Sequence, residues 1–64
     1  MKEFESVVLS QDLPQFGLKK GAHGAVVHCY QNGAAYEVEF FDSEGSTIGV
    51  FTISRDDIRS LVTA

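Results

Sequence analysis

The chain of 64 residues carries one cysteine, one proline, and five lysines and arginines against nine acids. A single cysteine excludes an internal disulfide, and a free thiol fits a reducing compartment. The net charge of −4 argues against a grip on a phosphate backbone, which concentrates Lys and Arg on one face. No apolar run approaches the roughly 20 residues of a membrane span. Met1-Lys2-Glu3-Phe4-Glu5 is charged and no apolar stretch follows, so no secretory leader is expected. These absences point to an acidic cytoplasmic protein without a membrane partner, better suited to a basic protein than to nucleic acid. A chain this short buries only about 60% of its unfolded surface. Its stability must come from a compact sheet, to which assembly into a homo-oligomer would add.

The organising stretch is residues 24–41, GAVVHCYQNGAAYEVEFF. Two strand-like runs flank Asn32-Gly33, the residue pair favoured in a two-residue type I′ hairpin turn because both positions need φ > 0. With that turn, Cys29 faces Tyr36, Val27 faces Val38 and Ala25 faces Phe40. Alternate side chains share a face, so these six form an apolar face expected to be the core side. The opposite face pairs His28 with Glu37, Val26 with Glu39 and Tyr30 with Ala35. A slip of one residue would bury two glutamates, so the register is strongly specified. Asp42-Ser43-Glu44-Gly45 is turn chemistry, with Gly45 expected at φ > 0. The next strand, residues 46–53, then places Gly49, Phe51 and Ile53 on the core side, and Ile48 and Val50 outside.

Residues 4–9 read as a first strand. Residues 10–23 hold Pro14, Gly17 and Gly21 with no helical period, which marks a binding loop or an excursion packed by its own side chains. Leu13, Phe16 and Leu18 are its expected anchors, and Lys19-Lys20 its expected tip. Ser54 followed by Asp57 resembles a capping box with Asp in the acidic position. A single helical or 3-10 turn is expected there, with Ile58 and Leu61 on one face. A last strand follows around Leu61-Val62-Thr63. Strand, long loop, three-stranded meander, short helical turn and last strand is the element order of an all-β, SH3-like barrel of about five strands, one domain over residues 1–64.

The pattern offers few groups for chemistry. His28 and Cys29 are adjacent on a strand and point to opposite faces, so they cannot pair as base and nucleophile. Cys29 reads instead as a small core hydrophobe. His23, His28 and Cys29 match no zinc spacing. Asp42, Glu44, Asp56 and Asp57 have turn and helix-start explanations, and Asp42 to Gly45 is too short for a calcium loop. Gly21-Ala22-His23-Gly24 lacks the Lys-Ser/Thr sequel of a phosphate cradle and leads into a strand. No catalytic residue, metal site or cofactor is expected. What the solvated-surface reading explains poorly is the outer sheet face. There Val26, Phe41, Ile48 and Val50 stand among His28, Glu37 and Glu39, an apolar patch rimmed by acids of the kind that marks interfaces.

Asp12-Leu13-Pro14, Gly17-Leu18-Lys19-Lys20-Gly21 leading to Gly24 and Val26-Val27, Tyr36-Glu37-Val38-Glu39-Phe40 and the closing residues 57–62 together resemble a small bacterial family catalogued as domain of unknown function 4926. The sequence departs from that pattern at Ala22-His23, where an acidic and an aliphatic residue would stand. The resemblance implies a compact β-barrel with no established activity. It also implies a role as the small partner of a toxin-like protein, of antitoxin or immunity type. Gly21-x-x-Gly24-x-Val26 also resembles the KOW motif of ribosome- and polymerase-associated barrels, which are usually basic. Two functions follow as expectations. One is a non-enzymatic protein-binding module using Val26, His28, Glu37, Glu39, Phe41, Ile48 and Val50. The other is an RNA- or ribosome-associated module using Lys19, Lys20 and Tyr30.

Overall fold

The computed structural model describes residues 4–61. It holds five strands: β1 (Ser6–Leu9), β2 (His23–Cys29), β3 (Ala35–Phe41), β4 (Thr47–Ser54) and β5 (Ile58–Ser60). Every pairing is antiparallel, in one sheet of order β4-β3-β2-β1-β5. The only helical pieces among the described residues are 3-10 turns at Pro14–Phe16 and Arg55–Asp57. The expected all-β class, element order and meander are therefore present. β4 and β5 are the two edges of the sheet, and among the described residues no ladder joins them. No described helix is long and apolar enough to cross a membrane.

The register of β2 on β3 departs from strict alternation at one point. Cys29 faces Tyr36 and His28 faces Glu37, as the turn predicts, but then Val26 faces Val38, Ala25 faces Glu39 and Gly24 faces Phe40. Val27 is the extra residue of a β-bulge, which bends a strand and shifts its facing set by one. The expected outward position of Val26 is thus wrong. Its side chain is 0% exposed in the core, while Ala25 and Val27, expected inside, are half-buried. The reason lies in Gly24 and in the double duty of β2, which pairs with β1 through residues 23–25 as well as with β3. A Cβ on Gly24 would stand 2.7 Å from the Glu39 carbonyl oxygen and 2.8 Å from Val38 Cγ1. Only glycine allows that approach, and the shift puts Val26 opposite Val38 and Gly24 opposite Phe40, where alternation offered Val27 and Ala25. Gly24→Ala is expected to lose about 1–3 kcal/mol of unfolding free energy by overpacking, measured as a drop in urea midpoint at unchanged m-value. A midpoint equal to the parent's would contradict the close approach.

The two turns differ from expectation in detail but preserve facing. Gly33 takes φ +69°, whereas Asn32 does not have positive φ, so the turn is not type I′. Residues 31–34 form a longer loop in which Gly33 N–H donates to the Tyr30 carbonyl at 2.9 Å and Ala34 N–H to Asn32 Oδ1 at 3.0 Å. Tyr30 N–H still donates to the Ala35 carbonyl. At the second turn Gly45 takes φ +83° as expected, and Asp42 Oδ1 accepts from the Glu44 and Ser46 N–H groups, each at 2.9 Å. Phe41 faces Thr47 and Phe40 faces Gly49, leaving Ile48 unpaired at a second irregularity. Beyond it Phe51 faces Val38 and Ile53 faces Tyr36, so the core side of β4 is the expected one.

Residues 10–22 fold back on themselves. Leu13 and Leu18 form an isolated bridge around the Pro14–Phe16 turn, and both leucines are buried in the core. Phe16 is half-exposed and lies on the Phe51 ring at 5.1 Å. The tip is this turn, and Lys19-Lys20 lies on the return past the bridge, correcting its expected place. Gln11 Nε2 donates to Asp57 Oδ1 and Ser10 N–H to the Asp57 carbonyl at 2.7 Å, which ties the loop to the second 3-10 turn. Ser54 Oγ accepts from Asp56 N–H at 3.3 Å. Ser54 caps as predicted, while the Asp57 carboxylate serves the loop. The last strand starts at Ile58, which is buried, whereas Leu61 is exposed. The two do not share a face, because the chain is already extended at Ile58. Val62 and Thr63 lie outside the described residues. Phe4 precedes β1 and is exposed, so the first strand is shorter than the sequence suggests.

Candidate functional site

The outer face of β2–β3–β4 is built by the alternation of β3, which sends Ala35, Glu37, Glu39 and Phe41 to the side opposite its buried Tyr36, Val38 and Phe40. Facing them on β4 are Ser54, Thr52, Val50 and Thr47, and on β2 His28, Ala25 and His23. Of the residues expected to form a protein-binding patch, His28, Glu37, Glu39, Phe41 and Val50 share this face. Ile48 sits at the bulge of edge strand β4. Ile48 and Val50 are 50% and 51% exposed, while Phe41 is half-buried. Val26 is removed from the set by the bulge. The patch is therefore narrower than expected, with its apolar part confined to the edge strand and to Phe41 at the end of β3.

Its acids are held. Glu37 Oε1 accepts from the Tyr30 hydroxyl at 2.8 Å and from Thr52 Oγ1. Glu39 Oε2 accepts from Thr47 Oγ1 at 2.8 Å. The Thr52 hydroxyl and then the Tyr30 hydroxyl hold the Glu37 carboxyl below its ordinary value against the opposing effect of burial, with His28 adding the smallest lowering. A carboxyl depressed in the folded state adds stability at pH above its unfolded value, and that contribution disappears as pH falls through the folded value. Glu37→Gln is thus expected to flatten the acid limb of a melting-temperature profile taken from neutral to about pH 3. An unchanged acid limb would mean that the carboxylate is not held as described.

At the hairpin end of the same face an open hollow is lined by Tyr30, Gln31, Asn32, Ala34, Ala35 and Thr52. The edge of the His28 ring meets the Tyr30 ring at 5.5 Å and 84°. The facing of Tyr30, Ala35, His28 and Glu37 was legible in the hairpin. The part played by Thr52 was not, because it depends on the exact length of the second turn. Tyr30 was expected to act with Lys19 and Lys20, but they stand at opposite ends of β2, which runs seven residues, or roughly 20 Å at strand rise. A second, smaller hollow by Phe41 is lined also by Gly21, Ala22, His23 and Asp42.

Cys29 packs against the core and His28 faces outward, so the two do not meet as a dyad. Among the described residues no three His, Cys, Asp or Glu side chains come together as metal ligands.

Against known families, the model described as "Domain of unknown function (DUF4926)" matches residues 3–60. Neither a curated protein nor a solved structure matches the chain.

Proposed function

For a chain that belongs to the family catalogued as domain of unknown function 4926, we propose the role of a non-enzymatic, cytoplasmic protein-binding module that docks a basic protein on its outer β3–β4 face. Neutralisation of a basic toxin, in the manner of an antitoxin or immunity protein, is the form of that role the sequence resemblance favours. The observation that carries the reading is the pair Ile48 and Val50, half-exposed on an edge strand beside two held carboxylates, Glu37 and Glu39. Apolar centres with a charged rim are the usual anatomy of a docking patch. The net charge of −4 selects a cationic partner.

The experiment is co-purification of the adjacent gene's product with the tagged chain, followed by titration of the purified pair. Ile48→Asp and Phe41→Asp are expected to weaken binding by at least about tenfold, as central interface positions do, with the β-sheet circular dichroism kept. Binding unaffected by both substitutions would remove this face from consideration.

A further inference from the structure

The hollow at the hairpin end is open and lined by Tyr30, Gln31, Asn32, Ala34, Ala35 and Thr52. Ala34 and Ala35 carry only methyl groups, and the Tyr30 side chain is 40% exposed. Tyr30 and Thr52 both donate their hydroxyls to Glu37 Oε1, so the carboxylate is held by two of the side chains that line the hollow. Oε2 receives neither of these hydroxyls. The one basic side chain of the outer face that acts on the Glu37 charge is His28. Arg55 reaches the rim through its backbone, its N–H donating to the Ala34 carbonyl at 3.0 Å.

We propose that this hollow receives an arginine side chain of the protein partner, with the guanidinium against the Tyr30 ring and directed at Glu37. The proposal rests on the docking reading above and names its anchor. Three features select arginine. An aromatic face attracts a planar cation, and guanidinium stacks where ammonium does not. Oε1 of Glu37 takes both hydroxyls, which leaves Oε2 to accept one charge-assisted N–H from a cation. The methyl groups of Ala34 and Ala35 offer apolar contact to the stem of a long basic side chain. The carboxylate is also oriented before the partner arrives, so little ordering is needed on binding.

The test is a nuclear magnetic resonance titration of the isotopically labelled chain with N-acetylarginine methylamide, using the norleucine derivative as the uncharged control. The arginine probe is expected to shift the amides of Ala34, Ala35 and Thr52 with saturation in the millimolar range. The norleucine probe should leave them in place. Glu37→Gln and, separately, Tyr30→Leu should each weaken the arginine effect at least about tenfold, the scale of one hydrogen bond to a charged group. The dispersed spectrum of each variant reports that it is folded. No saturable shift, or a shift that Glu37→Gln leaves unchanged, overturns the proposal. If arginine fails but partner capture persists and still depends on Ile48, the anchor alone is wrong. Capture that ignores Ile48 and Phe41 sinks the docking face, whatever the arginine probe does.

Discussion

Val26→Asp is expected to cost the chain between about half and all of its stability, while Val27→Asp, one residue along, remains folded. Val26 is 0% exposed between β1 and β3, and its neighbours in the core are apolar. A carboxyl there must be desolvated without a partner or be protonated, and the valine packing is lost as well. Such changes belong to the rare class costing about 4–5 kcal/mol or more. Native stability at about 0.05–0.15 kcal/mol per residue gives this chain roughly 3–10 kcal/mol. The substitution therefore removes between about half and all of it. Val27 is half-buried at the bulge, where exchanging a β-branched residue for Asp costs about 1 kcal/mol. Strict alternation makes the opposite forecast, with Val27 inside and Val26 outside. Circular dichroism and denaturant titration of the two variants decide between them, and a Val26→Asp chain no less stable than Val27→Asp would be incompatible with the bulge.

Phe40→Ala is the second large effect. Phe40 is fully buried and its partners across the sheet on either side are both glycines, Gly24 and Gly49. A Cβ on Gly24 would come within 3.1 Å of Phe40 Cδ1, so the ring already occupies the space above its neighbour. Removing it leaves three adjacent positions with at most one methyl group among them, a site that collapses poorly. The expected loss is about 3–5 kcal/mol, transfer plus cavity. Phe16 gives the contrast. It lies on Phe51 at the surface, 37% exposed, and Phe16→Ala should cost no more than about 1.5 kcal/mol. Equal midpoints for the two variants in urea would mean that the core is not centred on Phe40.

The comparison of these residues shows what was readable from the chain and what was not. Alternation along residues 35–41 named the buried side of β3 because Glu37 and Glu39 leave one solution, and the odd pairing across the second turn carried that choice to residues 49–53 of β4. In residues 24–29 both faces are apolar or small, Ala25 and Val27 against Gly24 and Val26, so a period of two could not choose. The choice was made by the backbone approach at Gly24 and by pairing with β1, both long-range. Tyr30, His28 and Glu37 were brought together by the hairpin alone, since Tyr30 keeps Ala35 opposite under either turn. Thr52 and the hollow depend on where β4 lies against β3. That register passes through an irregularity at Ile48 that no local signal announces. Lys19 and Lys20 were misplaced because the Leu13–Leu18 bridge closes the loop early.

The docking face and the hollow both depend on which side chains β2 and β3 turn outward, and cross-strand proton contacts in nuclear magnetic resonance read this directly. The structure requires contacts between the backbone protons of Val26 and Val38 and between those of His28 and Glu37, with Val27 opposite neither. Contacts of Val27 with Val38 and of Val26 with Glu39 would restore uninterrupted alternation. They would return Val26 to the surface and contradict the face assigned here.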